Sequence, residues 1–215
     1  MIAALVIAAL LLITSMCTGQ DAQDPVKDAS RTPDDYTFRI HPDLPEYSFH
    51  VRRDQDSVPT AIEVISKDTL VQTLEIPDDV DTAPAGIQVI AAEDVNGDGY
   101  ADLKFLHWWG ATGNQAYFYW LFNKDSGRFE YEKKLAEMSN VSPDPETHEI
   151  KTHSNLGAAG NSYSEQVYRF AGKKLVLVRE IKQEWSDQNQ CFYRVVREHA
   201  ADGIHETSRQ CIEVK

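Results

Sequence analysis

Apolar and polar residues alternate with period two through most of the chain. The segments Tyr47–Arg52, Ala61–Ile65, Leu70–Ile76, Ile87–Ala91, Ala101–His107, Tyr117–Phe122, Arg128–Tyr131, Ile150–His153, Gln166–Phe170 and Leu175–Ile181 carry that pattern or a short apolar run. Each predicts a strand. Turn-forming residues separate them: Lys67-Asp68, Asp125-Ser126-Gly127, Ala171-Gly172-Lys173 and Asp202-Gly203. Only Lys133–Asn140 offers a helical turn or two. Glu63–Ile65 turning into Leu70–Leu74, Tyr119–Phe122 into Arg128–Tyr131, and Val167–Phe170 into Leu175–Val178 are hairpins of one kind. Their spacing is irregular, whereas a repeated propeller keeps a fixed period. The pattern predicts an all-β fold, with antiparallel hairpins in an irregular β-propeller-like or barrel-like single domain.

Two aromatic clusters refine this picture. Tyr117-Phe118-Tyr119-Trp120-Leu121-Phe122 is apolar on both faces, which predicts a central strand buried on both sides. The alternative is one aromatic face left open to a partner. Trp108-Trp109 before Gly110 carries the same two readings, of which the core is the preferred one. A further hairpin, Phe192–His199 and Ile204–Ile212, turns near Ala201–Gly203. Cys191 and Cys211 sit at equal offsets from Ala201, so they are expected to face each other across the ladder. In an oxidising compartment they should form a disulfide, contributing about 3 kcal/mol in the chain-entropy picture.

The N-terminus points to such a compartment. Met1 to Cys17 carries no charged side chain, and Ile2 to Ile13 is one apolar run. It has about half of the roughly 20 residues a membrane span needs, so residues 1–17 read as a signal peptide, although no Lys or Arg precedes the run. Cys17 stands where a lipoprotein cysteine would stand, but Met16 is large where a small residue is usual. Lipid anchoring at Cys17 and soluble export both follow from an export signal. Residues 18–35 are polar and Asp-rich, with Pro25 and Pro33, and are expected to be a tether. Residues 36–215 form the β domain.

Charge narrows the partners. In 215 residues, 21 Lys and Arg stand against 34 Asp and Glu, a formal charge of −13. Nucleic-acid binding needs a basic footprint that is missing here. A metal cation or a basic protein suits the charge. The motif Asp94-Val95-Asn96-Gly97-Asp98-Gly99-Tyr100-Ala101-Asp102 supplies oxygen side chains at loop positions 1, 3, 5 and 9, a turn glycine at 6 and the Tyr100 carbonyl at 7. That is the front of a calcium loop. No Cys or His is near in sequence to invite zinc. Two carboxylates about 4 Å apart repel by about 4 kcal/mol at an effective dielectric of 20, so gathering Asp94, Asp98 and Asp102 favours a bound Ca²⁺. Position 12 is Phe105 rather than Glu, which excludes a helix–loop–helix hand and leaves a loop between strands. The plain alternative is a solvated acidic turn.

No catalytic set assembles. His148 and His153 lie five residues apart in an alternating region, whereas a zinc protease pair needs four on a helix. Ser126 and Ser162 lack a nucleophile elbow. The chain reads as a non-enzyme.

The combination of Ala92–Tyr100, then Trp109-Gly110-Ala111-Thr112-Gly113-Asn114, then Asn155–Tyr163 resembles the calcium-binding periplasmic immunity proteins of bacterium-killing type IV secretion systems. These neutralise a lysozyme-like peptidoglycan hydrolase, and resemble periplasmic inhibitors of animal lysozymes. The likeness spans about Tyr47 to Trp185. It implies a propeller-like β fold, a calcium site, a periplasmic location, and a segment that plugs a hydrolase cleft. Ser154–Tyr163 is the candidate plug. Gly157 and Gly160 permit close backbone approach, Asn161, Ser162 and Tyr163 offer hydrogen-bond donors to cleft carboxylates, and Asn155 is counted with them as a partner-binding residue. An ordinary hairpin loop is the alternative. The other class of function is a calcium-dependent structural or carbohydrate-binding module of the bacterial envelope.

Overall fold

Alternation becomes strand wherever one face finds an apolar layer to cover it, and here three layers do so. The computed structural model describes residues 34–77 and 89–212. The signal peptide, Cys17, most of the expected tether and the beginning of the Ile87–Ala91 segment lie outside these residues. The described chain is nearly all β, in three antiparallel sheets. The first is β1 (Asp35–Phe38), β2 (Tyr47–Arg53), β3 (Pro59–Ser66) and β4 (Thr69–Glu75). The second is β5 (Ile90–Glu93), β6 (Asp102–Trp109), β7 (Gln115–Asn123) and β8 (Arg128–Tyr131). A single helical turn, α1 (Lys133–Ala136), leads into the third sheet. That sheet holds β9 (Ser142–Asp144), β10 (Glu149–Gly157), β11 (Ser162–Ala171), β12 (Lys174–Ser186), β13 (Cys191–Ala200) and β14 (Gly203–Ile212). Within every sheet the neighbours in space are neighbours in sequence, so each is an open meander and none closes into a barrel.

The second sheet is the middle layer. Phe118, Trp120 and Phe122 of β7 join Phe49, Val51, Ile62, Val64 and Leu74 of the first sheet in one core. The alternate residue Tyr119 joins Leu135, Ile150, Tyr168 and Leu175 in another, with Tyr117 and Leu121 packed at its border. The strand read as buried on both sides is thus the wall between two cores. Full burial pushes the Tyr119 phenol far above its ordinary pKa.

Two side-chain amides connect layers that share no backbone ladder. Gln72 of β4 donates from Nε2 to the Phe129 carbonyl at 2.8 Å and accepts at Oε1 from the Phe129 amide at 2.9 Å. Asn114, before β7, treats Asn155 of β10 in the same way. Its Nδ2 donates to the Asn155 carbonyl at 2.9 Å, and its Oδ1 accepts the Asn155 amide at 2.8 Å. Each primary amide reproduces the donor–acceptor pair of a peptide unit, and so pairs an otherwise unpaired strand residue.

Three local expectations are corrected. Trp108 and Trp109 are not core residues but are 36% and 37% exposed. They end β6 past the last buried pair, and the Trp108 ring lies over Gly110. Cys191 and Cys211 are bonded, with Cα atoms 5.8 Å apart, but diagonally, because Cys211 stands opposite Tyr193. Equal offsets from Ala201 miss two residues: the turn is centred between Ala201 and Asp202, since Ala200 pairs with Gly203, and a register shift between Val196 and Arg197 adds the second. Finally, β10 runs to Gly157 and β11 resumes at Ser162, so most of the expected plug loop is ladder.

Candidate functional site

The acidic loop joins β5 to β6 and is folded around its first carboxylate. Asp94 Oδ1 accepts the Gly97 and Asp98 amides at 2.8 and 3.1 Å, and Oδ2 accepts the Gly99 amide at 2.9 Å. Asn96 Oδ1 accepts the Asp98 amide at 2.9 Å, and Asp98 Oδ1 the Tyr100 amide at 3.0 Å. These Asx turns require the left-handed backbone at Gly97, φ 73°, and Gly99, φ 88°. The Tyr100 ring is clamped between His41, centroids 4.4 Å apart, and Phe122, 5.6 Å apart.

Asp102 plays a different part. It is completely buried. Its Oδ2 accepts the Val95 amide at 2.9 Å, and its Oδ1 the Phe122 amide at 2.7 Å. Burial pushes its carboxyl up to about 7, reinforced by the charges of Asp98 and Asp94 and opposed by the two amide bonds. Asp102 therefore closes the loop onto β7. Among the described residues no three Asp, Glu, His or Cys side chains converge on one point. The donor chemistry nevertheless fits a hard cation: Asp94, Asn96, Asp98, Asp102 and the Tyr100 carbonyl offer oxygen alone. Asn96 and Asp98 border an open cleft of about 380 Å³ that also includes Asp125, Glu130 and Glu132.

The other candidate residues lie at the far end of β6. Its eight residues span about 25 Å at a strand rise of roughly 3.3 Å per residue. There the turn after Trp109 is closed by the Gly110 amide donating to the Asn114 carbonyl at 2.8 Å. The β10–β11 tip stands beside it. Asn155 Nδ2 donates to the Thr112 carbonyl at 3.3 Å, and Asn155 Oδ1 accepts the Gly157 amide at 3.0 Å. Asn140 ties in the segment before β9, donating from Nδ2 to Asn114 Oδ1 at 3.1 Å and to the His153 carbonyl at 2.9 Å. Beyond Asn155 the backbone turns through four consecutive positive-φ residues, Gly157, Ala158, Ala159 and Gly160. Two of these are alanines, which strains the turn. The carbonyl of Asn161 is held by the buried amide of Gln183 at 2.9 Å, and its side chain is turned back to the Ala158 carbonyl. Tyr163 stacks on His153, centroids 5.6 Å apart. Leu156 is 54% exposed at the tip.

The structure thus brings Asn155, Gly157, Gly160, Asn161, Ser162 and Tyr163 together, and places the acidic loop well away from them. The side-chain amides of Asn155 and Asn161 each donate within the protein, to the Thr112 and Ala158 carbonyls. The exposed groups are Leu156 and the backbone at Ala158–Gly160, with Ser162 and Tyr163 half-buried beside them.

No family model matches the sequence, and no curated protein matches it. One solved structure is similar. It is described as "Structure of a Xanthomonas Type IV Secretion System related protein", and the likeness covers 81% of this chain and 93% of that chain at 17% identity, with a TM-score of 0.56. At that identity the likeness is one of fold.

Residue reading by itself gave no role to Asn114 and Asn140. Asn114 is only 8% exposed; its sole sequence signal is an Asn directly after a turn glycine, which more often marks an exposed turn than a buried joint.

Proposed function

We propose that this protein is a periplasmic immunity protein, soluble or lipid-anchored, that binds Ca²⁺ at the β5–β6 loop. It inhibits a secreted lysozyme-like peptidoglycan hydrolase by seating the β10–β11 tip in the active-site cleft, and is not itself an enzyme. The observation that carries this reading is the braced tip. A narrow hairpin end with strained backbone and an exposed Leu156 is held rigid by hydrogen bonds to a neighbouring turn. Such an element enters a groove with little ordering cost. Its likeness in fold to a type IV secretion system related protein agrees with the reading, as does the Cys191–Cys211 disulfide with export. A formal charge of −13 suits a cationic partner. In this reading Ser162 and Tyr163 supply the side-chain donors toward cleft carboxylates, since Asn155 and Asn161 are engaged internally.

The test is turbidity clearing of peptidoglycan by candidate lysozymes, with and without the protein. Wild type should abolish clearing by its cognate hydrolase. The Ser162→Ala/Tyr163→Ala variant should inhibit at least tenfold less well, with its melting temperature and calcium response kept. Equal inhibition by that variant overturns the placement of the tip. Exposed Trp108 and Trp109 favour a second reading, a calcium-dependent carbohydrate-binding module of the envelope. Retention on peptidoglycan without any inhibition would support it.

A further inference from the structure

We infer that the partner surface is composite, two hairpin ends made into one rigid body by the buried side chain of Asn114. The inference rests on the inhibitory reading above and adds the residue that positions its tip. Four observations lead to it. The second and third sheets share no backbone ladder; the single Ala116–Ser139 bridge and the backbone bonds from the Asn140 amide to the Gln115 carbonyl and from the His153 amide to the Ser139 carbonyl stop short of Asn155 and do not reach the 110–113 turn. Asn114 replaces that ladder, meeting both the amide and the carbonyl of Asn155. Asn140 completes the joint through Asn114 Oδ1 and the His153 carbonyl, while its own Oδ1 takes the Gln115 amide at 2.9 Å. The tip just past this joint holds two alanines, Ala158 and Ala159, at positive φ, a conformation that persists in a non-glycine residue only where the surroundings over-determine it.

The physical consequence is pre-organisation. A tip free to relax from that backbone would have to be reordered on every encounter, and the affinity would fall by the fraction of time spent in the competent form. Asn114 is accordingly a positioning residue. Its side chain is buried and touches no partner; it acts through Asn155. The composite surface presents Thr112 and Gly113 beside Leu156–Gly160, so a partner that accepts the tip also meets the turn.

The experiment has two independent readouts on the full chain. In the free protein, amide hydrogen exchange of Asn155 should speed up at least a hundredfold in Asn114→Ala. The Ile62 amide, in the first sheet, should keep its protection. In the inhibition assay, Asn114→Ala should lose at least tenfold. Combined with Ser162→Ala/Tyr163→Ala, it should cost little beyond the tip variant alone, because both changes act through one element. General destabilisation would add instead. Asn114→Asp is the second variant, should the alanine fail to fold: it keeps the acceptor for the Asn155 amide but loses the donor to the Asn155 carbonyl, and should lie between. Unchanged exchange at Asn155 overturns the joint itself. Lost protection with inhibition as in wild type overturns the positioning role and leaves the inhibitory reading standing. If wild type inhibits no hydrolase, that reading falls and the positioning role with it, whereas the exchange result still reports the joint.

Discussion

Gly97 shows how a loop motif and its tertiary setting become one constraint. The motif demands glycine there because the chain turns at φ 73°, and that much is legible from the spacing Asp94, Asn96, Asp98. The structure adds a second reason that no local pattern contains: a Cβ on Gly97 would stand 2.2 Å from His148 Nδ1. His148 comes from the turn between β9 and β10, some fifty residues on. Gly97→Ala should therefore destabilise the protein by about 1–3 kcal/mol through backbone strain and the ring clash together. Adding His148→Ala should recover part of that loss. Urea denaturation of both variants measures it, and equal stability of Gly97→Ala and wild type would remove the proposed contact. Asp102 teaches a related lesson. As a loop oxygen it was readable; as a buried acceptor for the Val95 and Phe122 amides it was not, because its second partner lies on a strand it meets only in the folded sheet.

At the scale of elements, period-two alternation located the strand centres where one face is covered, as in β2 and β6, and an unbroken apolar run located β7, covered on both. Ends were less readable. Hydrogen-bond ladders continue past the last covered residue, which carries β10 to Gly157 and β12 to Ser186. β1, with four residues, and the Ser-Pro-Asp strand β9 are too short to announce themselves. Register shifts are silent in sequence, and one of them, with a turn centred just past Ala201, sets the cysteines diagonal. The joints between sheets are equally silent, since a Gln on an edge strand looks like any exposed polar residue. Gln72 nevertheless satisfies both peptide groups of Phe129, whose residue is 4% exposed. Gln72→Ala should leave a buried N–H and C=O unpaired and cost about 1–3 kcal/mol. Gln72→Glu should cost at least as much, because it keeps an acceptor for the amide but brings a carboxylate to the carbonyl. Thermal melts of the two variants decide this; a loss below about 0.5 kcal/mol in both would mean that water replaces the joint without penalty.

For the whole molecule the governing quantity is a formal charge of −13 on 215 residues. The layered core was half visible beforehand: the doubly apolar Tyr117–Phe122 strand implied a middle wall, but nothing local told which sheets would flank it. The charge has two separable consequences for stability. Any salt screens mutual repulsion among the 34 acidic side chains, an effect of ionic strength with a Debye length of about 8–10 Å in ordinary buffers. The proposed calcium site would add a term of its own, because an ion held by the folded β5–β6 loop would find no such site in the unfolded chain. At a hundredfold excess over the dissociation constant that linkage is worth about 2.7 kcal/mol, or about 5–10 °C of melting temperature for a domain of this size. Calcium chloride should thus raise the melting temperature beyond sodium chloride of matched ionic strength, and chelator should remove only the excess. Asp98→Ala should lose most of the excess, since Asp98 borders the open cleft, while keeping the sodium response and even gaining slightly from one charge fewer. Ser162→Ala/Tyr163→Ala should keep both responses, because the tip lies at the other end of β6. Identical melting in calcium, chelator and matched sodium would leave the −13 as a screening effect alone, and the acidic loop as a turn that Asp94 holds shut by itself.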